Sequence, residues 1–223
     1  DHEQVPEMKE LAKLVEGGKL SITPPMRPFQ EEKLSLALFH HHRLQGFWEE
    51  NLQRDELSLL RRFIPRTWVV DPAPVPPGAI LDAPFVKGRG LGDWNDLANA
   101  SKKERALVLK ASGFHETAWG ARSVVIGDDV SGDEWEKALF YAIESFPKPI
   151  SVIQEFHKPS LVEHPVFKNH TEEILMSGRL RLSPYFFVMN KKVKWSGTLA
   201  TLCPADKKII HGMKDGVLMP CNR

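Results

Sequence analysis

The chain has 223 residues, of which 42% are hydrophobic and 26% charged, so it can bury a sizeable core and does not have the composition of a disordered protein. Thirty lysine and arginine residues against 29 aspartate and glutamate residues give a net charge of +1, which removes the cationic excess typical of nucleic-acid-binding proteins. The apolar runs are far shorter than the roughly 20 residues of a membrane-spanning helix, so no membrane contact is expected. Because the chain has only two cysteines, a cytoplasmic protein is expected, and its balanced charge predicts that it binds no nucleic acid.

The first third of the chain predicts helices followed by a strand. Apolar residues recur at helical spacing within residues 1–20, and Gly17-Gly18 ends the pattern. Two further helices are predicted from Glu31 to about Gln45 and around residues 55–63. Residues 67–71 are β-branched and aromatic, which favours a strand.

A segment rich in proline and glycine, residues 71–92, comes next and indicates a subdomain boundary. We therefore expect an N-terminal helical segment and first subdomain over residues 1–92. A second subdomain with a central sheet is expected over residues 93–223.

The second subdomain should contain a sheet covered by a helix. Three apolar segments predict its strands: residues 106–110, 122–127 and 150–156. Ser131 and Glu134 have the spacing of a capping box, and an apolar stripe at helical spacing follows from Trp135 to Phe146. We expect this helix to pack on the three strands with Trp135 and Leu139 buried.

The last third of the chain predicts a loop and a hairpin. Residues 157–178 are polar and should form a loop with one helical turn. Residues 182–189 and 193–202 flank Asn190-Lys191-Lys192, which predicts a β-hairpin. Residues 209–210 and 217–219 are expected to form short closing strands.

Two strand ends carry residues suited to a nucleotide. Lys110 follows an apolar strand and precedes small residues, so its ammonium and nearby backbone amides can contact phosphate oxygens. Glu155 ends a later strand and can accept from ribose hydroxyls, while the extended backbone beside it can pair with an adenine edge. Taken alone, each residue also fits an ordinary sheet rim that faces solvent. The combination favours a nucleotide site.

Four stretches in this order resemble the ATP-grasp superfamily, in particular its circularly permuted, glutathionylspermidine synthase-like branch: Glu31-Glu32-Lys33, residues 64–70, residues 107–127 and residues 153–156. The resemblance covers roughly residues 22–200. It implies an α+β fold of two α+β subdomains with a nucleotide cleft between them.

The resemblance also implies roles for individual residues. Lys33 and Lys110 would be phosphate lysines, and residues 120–123 would be part of a flexible loop over the phosphates. The implied ATP-binding residues are Lys33, Lys110, Gly120, Arg122, Gln154, Glu155 and Phe156, the last three as the adenosine hinge. Arg181, on a later strand, can stabilise an acyl-phosphate, although it also fits a charged strand edge.

The function implied is ATP-dependent ligation of a small carboxylate to an amine or thiol through an acyl-phosphate. ATP and Mg²⁺ would be the cofactors. The chain departs from the family pattern because its late strands carry no carboxylate before Asp206, so no metal ligands are assigned. This departure favours the alternative, a non-catalytic ATP-grasp-like module for binding or interaction.

Overall fold

The computed structural model of the chain describes residues 7–22, 32–73, 84–112, 115–118, 120–169, 171–210 and 215–221. Contacts divide the chain into two compact units. We call residues 29–157 the core unit. Residues 158–223 together with residues 1–28 make up the second, which we call the hairpin unit.

The described residues contain five α-helices: α1 (Glu7–Glu16), α2 (Leu34–His40), α3 (Gln45–Asn51), α4 (Arg54–Phe63) and α5 (Gly132–Glu144). The helices expected within residues 1–20 and around residues 55–63 are confirmed. The helix expected from Glu31 to Gln45 is interrupted, because His41 has an extended backbone that ends α2. Glu31 itself lies outside the described residues.

The core unit is built on a four-stranded antiparallel sheet. In spatial order its strands are β1 (Thr67–Val69), β6 (Ser151–Glu155), β4 (Leu107–Ala111) and β5 (Val125–Ile126). A separate two-stranded ribbon is formed by β2 (Phe85–Val86) and β3 (Arg89–Gly90). Since β1 and β4 belong to one sheet, the boundary expected at residues 92 and 93 falls inside the core unit. The three strands predicted in the second half of the chain do share this sheet, as expected.

Helix α5 packs as its apolar stripe predicts. Trp135 and Leu139 are each 0% exposed, and the Trp135 indole N–H donates to the Leu97 carbonyl oxygen at 2.9 Å. Ser131 and Glu134 form the capping box at the start of the helix. The cluster around Trp135 joins α5 to one face of the sheet and to the 3₁₀ helix Trp94–Asn99. This part of the α+β expectation is confirmed.

The opposite face of the sheet is the one that matters for the candidate site. Successive strand residues point to opposite faces, so Val108, Lys110 and Gln154 lie away from the Trp135 cluster. Helix α2 packs against β1 and β6, and its buried residues Ala37 and Phe39 are not part of that cluster.

The hairpin unit contains a second antiparallel sheet. Its strands are β7 (Leu161–Lys168), β8 (Glu172–Met189), β9 (Lys192–Pro204) and β10 (Val217–Pro220), in the order β10-β9-β8-β7. The predicted hairpin is confirmed and is longer than expected. Asn190 and Lys191 both have positive φ, 52° and 61°, as a two-residue hairpin turn of the primed type requires.

Two expectations for this region are wrong. Residues 157–178 were expected to form a loop, yet β7 and the start of β8 occupy most of them. Strand β7 is difficult to recognise from the sequence because it is an edge strand. Most of its residues are exposed, its apolar residues do not alternate with polar ones, and it tolerates Pro165, which an interior strand would exclude. Residues 209–210 form no strand, whereas residues 217–219 do, within β10.

Candidate functional site

Lys110 stands on the sheet face opposite α5, near the end of β4. Its Nζ donates to Gln154 Oε1 at 2.6 Å. Val108 is the residue opposite Gln154 in the strand register, so Lys110 is the diagonal neighbour of Gln154 on the same face. Burial lowers the pKa of Lys110 below its ordinary value, and the nearby charge of Lys33 lowers it further.

Gln154 connects Lys110 to the next strand. Its Nε2 donates to Thr67 Oγ1 at 2.9 Å, and the Thr67 hydroxyl donates to the Pro65 carbonyl oxygen at 2.9 Å. Thr67 is 1% exposed and Gln154 is 8% exposed. A continuous run of hydrogen bonds therefore crosses from β4 through β6 to β1.

Hydrogen bonds connect the start of α2 to the end of β4. The Leu34 backbone N–H donates to Ser112 Oγ at 2.8 Å, and the Ser112 hydroxyl donates to the Glu32 carboxylate at 3.3 Å. Lys33 Nζ donates to the Ala118 carbonyl oxygen at 2.7 Å. These contacts hold Lys33 near enough to Lys110 for its charge to act there, so the structure brings together the two lysines singled out in the sequence.

The expected phosphate loop is a turn tied back to β4. Gly120 and Ala121 both have positive φ, 64° and 61°. Ser123 Oγ accepts from the Ala111 backbone N–H at 3.1 Å, and the exposed Arg122 donates to the Glu116 carbonyl oxygen at 3.4 Å. Residues 113, 114 and 119 lie outside the described residues.

The residues expected as an adenosine hinge belong to the sheet. The Glu155 N–H donates to the Arg66 carbonyl oxygen and the Phe156 N–H to that of Ala106, both at 2.9 Å. An adenine ring therefore cannot accept from these two groups while the sheet is intact. Glu155 is also directly opposite Leu107 on the strand that carries Lys110. Lys110 and Glu155 therefore lie on neighbouring strands of one sheet.

Arg181 belongs to β8 of the hairpin unit. Its guanidinium donates to the Ile210 carbonyl oxygen at 3.1 Å and to Thr201 Oγ1 at 3.5 Å. Both contacts stay within that unit. A role for Arg181 at an acyl-phosphate stays a prediction.

Sequence reasoning missed three polar residues of the core unit. Thr67 accepts a hydrogen bond from Gln154, the residue that accepts from Lys110, and Ser112 accepts one from the segment that carries Lys33. His40, on α2, has its Nε2 3.0 Å from the Ile64 carbonyl oxygen, and burial lowers its pKa. The sequence does place the hydroxyl residue Thr67 in a predicted strand. Its partner, however, depends on the register between two distant strands, which cannot be derived from the sequence.

A metal-binding cluster or a pocket elsewhere in the described residues could also form a site. The described residues contain no group of three or more histidine, cysteine, aspartate or glutamate side chains placed to hold a metal ion. An open groove of about 450 Å³ lies in the hairpin unit, lined by residues such as Tyr185, Phe187 and Leu218, and includes none of the lysine site.

No family model, curated protein or solved structure matches the chain. The resemblance to the ATP-grasp superfamily thus rests on the residues themselves. In the part of the chain that the structure describes, no helix has the length and apolar character needed to cross a membrane.

Proposed function

We propose that the core unit binds ATP through its phosphates, with Lys33 and Lys110 as the cationic contacts. The observation that carries the proposal is their convergence: a charge on Lys33 acts on a half-buried Lys110 whose side-chain acceptor is the neutral amide of Gln154. An amide fixes the position of an ammonium without cancelling its charge. Two neighbouring ammonium groups repel each other, and an anionic ligand between them relieves that repulsion.

The activity we propose is that of an ATP-dependent ligase of the ATP-grasp type. A substrate carboxylate oxygen would attack the γ-phosphorus and ADP would leave. An amine or thiol would then attack the acyl carbon of the resulting acyl-phosphate, forming the new C–N or C–S bond as inorganic phosphate leaves. Lys33 and Lys110 would hold the triphosphate, and Arg181 is the proposed cation for the acyl-phosphate. A reducing, cytoplasmic setting suits this chemistry and the thiols of Cys203 and Cys221.

Mg²⁺ is implied by the resemblance, and it would neutralise phosphate charge. The described residues do not fit a metal held by the protein, since they form no cluster of metal-binding side chains. We therefore assign no ligand to the metal and route no step through it.

The binding proposal is tested by calorimetry with ATP. Lys110→Met should weaken binding roughly 10- to 100-fold, because a hydrogen bond to a charged group contributes about 1.5–3 kcal/mol. Lys103→Met is the matched control, since Lys103 is exposed in a turn of the same unit. Equal affinity in the Lys110 variant and the wild type would remove Lys110 from the site, and so would an equal loss in the control.

The second candidate is a module that binds nucleotide or a partner without catalysis. The absence of a metal-binding cluster from the described residues favours it. The two candidates differ in ADP release when ATP is offered with a panel of small carboxylates and amines or thiols. The ligase releases ADP only when a suitable carboxylate is present, whereas the module shows saturable binding and no release.

A further inference from the structure

The geometry points to Thr67 as a positioning residue that acts through Gln154 to hold the Lys110 ammonium in place and charged. This inference rests on the proposed function in one respect, since the ligand of the ammonium is taken to be a phosphate of ATP. The contacts themselves belong to the protein alone.

The hydrogen bond from Thr67 to Pro65 determines the direction of the other hydrogen bonds between Thr67, Gln154 and Lys110. The Thr67 hydroxyl has one hydrogen, and it is donated to the Pro65 carbonyl oxygen at 2.9 Å. Its oxygen can then only accept from Gln154. The Gln154 amide must turn its nitrogen to Thr67, at 2.9 Å, and its oxygen to Lys110, at 2.6 Å.

Without Thr67 the amide has no such restriction. A rotated Gln154 would present N–H groups to the Lys110 ammonium, which has only hydrogens to offer in return. Because Thr67 and Gln154 are buried, water cannot readily replace the lost partner. The Thr67 hydroxyl therefore acts together with the Lys110 ammonium to hold the Gln154 oxygen toward Lys110, and its loss weakens that orientation.

The residue type at position 154 determines whether the positive charge of Lys110 is neutralised. A glutamate there would accept the same hydrogen bond but would cancel the positive charge by forming an ion pair. The neutral glutamine keeps the ammonium in place and leaves the positive charge of Lys110 for a ligand.

The experiment compares Thr67→Val, Thr67→Ser and Gln154→Glu with the wild-type chain. The first readout is the pKa of Lys110, followed by NMR of ¹³C-labelled lysine, with the signal assigned from the Lys110→Arg variant. The second readout is ATP affinity by calorimetry. Valine keeps the shape of threonine without the hydroxyl, and serine keeps the hydroxyl.

In Thr67→Val we expect the pKa of Lys110 to fall below the wild-type value and ATP affinity to fall about two- to tenfold, because the hydrogen bond that is lost joins the neutral groups of Gln154 and Thr67. Thr67→Ser should restore both. Gln154→Glu should raise the pKa of Lys110 and still weaken ATP binding at least about tenfold, because the charge is cancelled. If Thr67 only supported the fold, the pKa of Lys110 in folded Thr67→Val would equal the wild-type value.

An unchanged Lys110 pKa in folded Thr67→Val, or a serine variant no better than the valine variant, would overturn the inference. If Thr67→Val does not fold by near-ultraviolet circular dichroism, Gln154→Glu decides, and an unchanged Lys110 pKa there overturns it. If the wild-type chain binds no ATP while the Lys110 pKa follows the variants as expected, the positioning role stands and the proposed ATP binding fails.

Discussion

His40 shows how burial changes a single side chain near the candidate site. It ends α2, and its ring nitrogen Nε2 lies 3.0 Å from the Ile64 carbonyl oxygen. Burial is the main cause that lowers the pKa of His40 below its ordinary value of 6.5, and it outweighs the opposing effect of that hydrogen bond. Burial also lowers the pKa of His41, with His42 and Arg43 adding to the effect.

These shifts predict that the protein loses stability on mild acidification. Between the lowered folded-state pKa and 6.5, the unfolded chain binds more protons than the folded chain, so the free energy of unfolding falls as the pH drops through that window. His40→Gln should reduce the loss. Urea unfolding at several pH values between 7.5 and 5 measures it.

The control for this prediction is His164→Gln, since His164 is exposed on β7. It should leave the pH dependence as in the wild type. If the His40 variant shows the full wild-type loss, the burial of His40 is not its source.

Gly127 is a second position where one residue is constrained by its surroundings. A Cβ atom there would lie 2.6 Å from the Arg105 carbonyl oxygen and 3.0 Å from the Trp135 ring. Gly127→Ala should lower the free energy of unfolding by about 1–3 kcal/mol, as overpacking does in a dense core. Gly132→Ala is the matched control, because nothing lies within 4 Å of its added Cβ atom. Similar stabilities for the two variants would contradict this account of the packing.

At the scale of elements, helix α5 begins where a local signal places it. Ser131 Oγ accepts from the Glu134 N–H, and the Glu134 carboxylate accepts from the Ser131 N–H. Ser131→Ala should cost about 1 kcal/mol of unfolding free energy. Ser131→Thr keeps the capping oxygen and should cost clearly less. Chemical denaturation of both variants measures the difference, and equal losses would exclude the cap as the cause.

Local signals explain which elements the sequence predicts well. Helix α5 is predicted by the apolar stripe along its sequence, and the β8–β9 hairpin by the short turn between two strand-like segments. Both patterns involve residues that are close together in the chain. Strand β7 is not predicted well, because it lies at a sheet edge and its apolar residues do not alternate with polar ones. Among the proposed site residues, Lys110 was predicted from residue type and position, and Lys33 from the resemblance alone. The partners Thr67 and Ser112 depend on contacts between distant segments, which no local pattern encodes.

At the scale of the whole molecule, the core unit has its own hydrophobic interior. Trp135, Leu139, Leu97 and Ile153 are each 0% exposed, and all four belong to one cluster within residues 29–157. Every residue proposed to contact ATP also lies in this range, whereas Arg181 lies in the hairpin unit. The proposed phosphate site and the core that supports it thus lie in one continuous segment of the chain.

We therefore predict that residues 29–157, produced alone, fold and bind ATP with an affinity within about threefold of the full chain, since the charge-assisted contacts, each contributing about 1.5–3 kcal/mol, are retained. The measurements are near-ultraviolet circular dichroism, which reports the packing of tryptophans such as Trp94 and Trp135, thermal unfolding, and calorimetry. Leu139→Ala in the same fragment should lower the free energy of unfolding by about 2–5 kcal/mol, and so abolish the thermal transition or sharply lower its midpoint temperature.

A folded fragment without ATP affinity, beside a full chain that binds, would show that residues outside 29–157 complete the site. A fragment with no cooperative transition would show that the core depends on the rest of the chain.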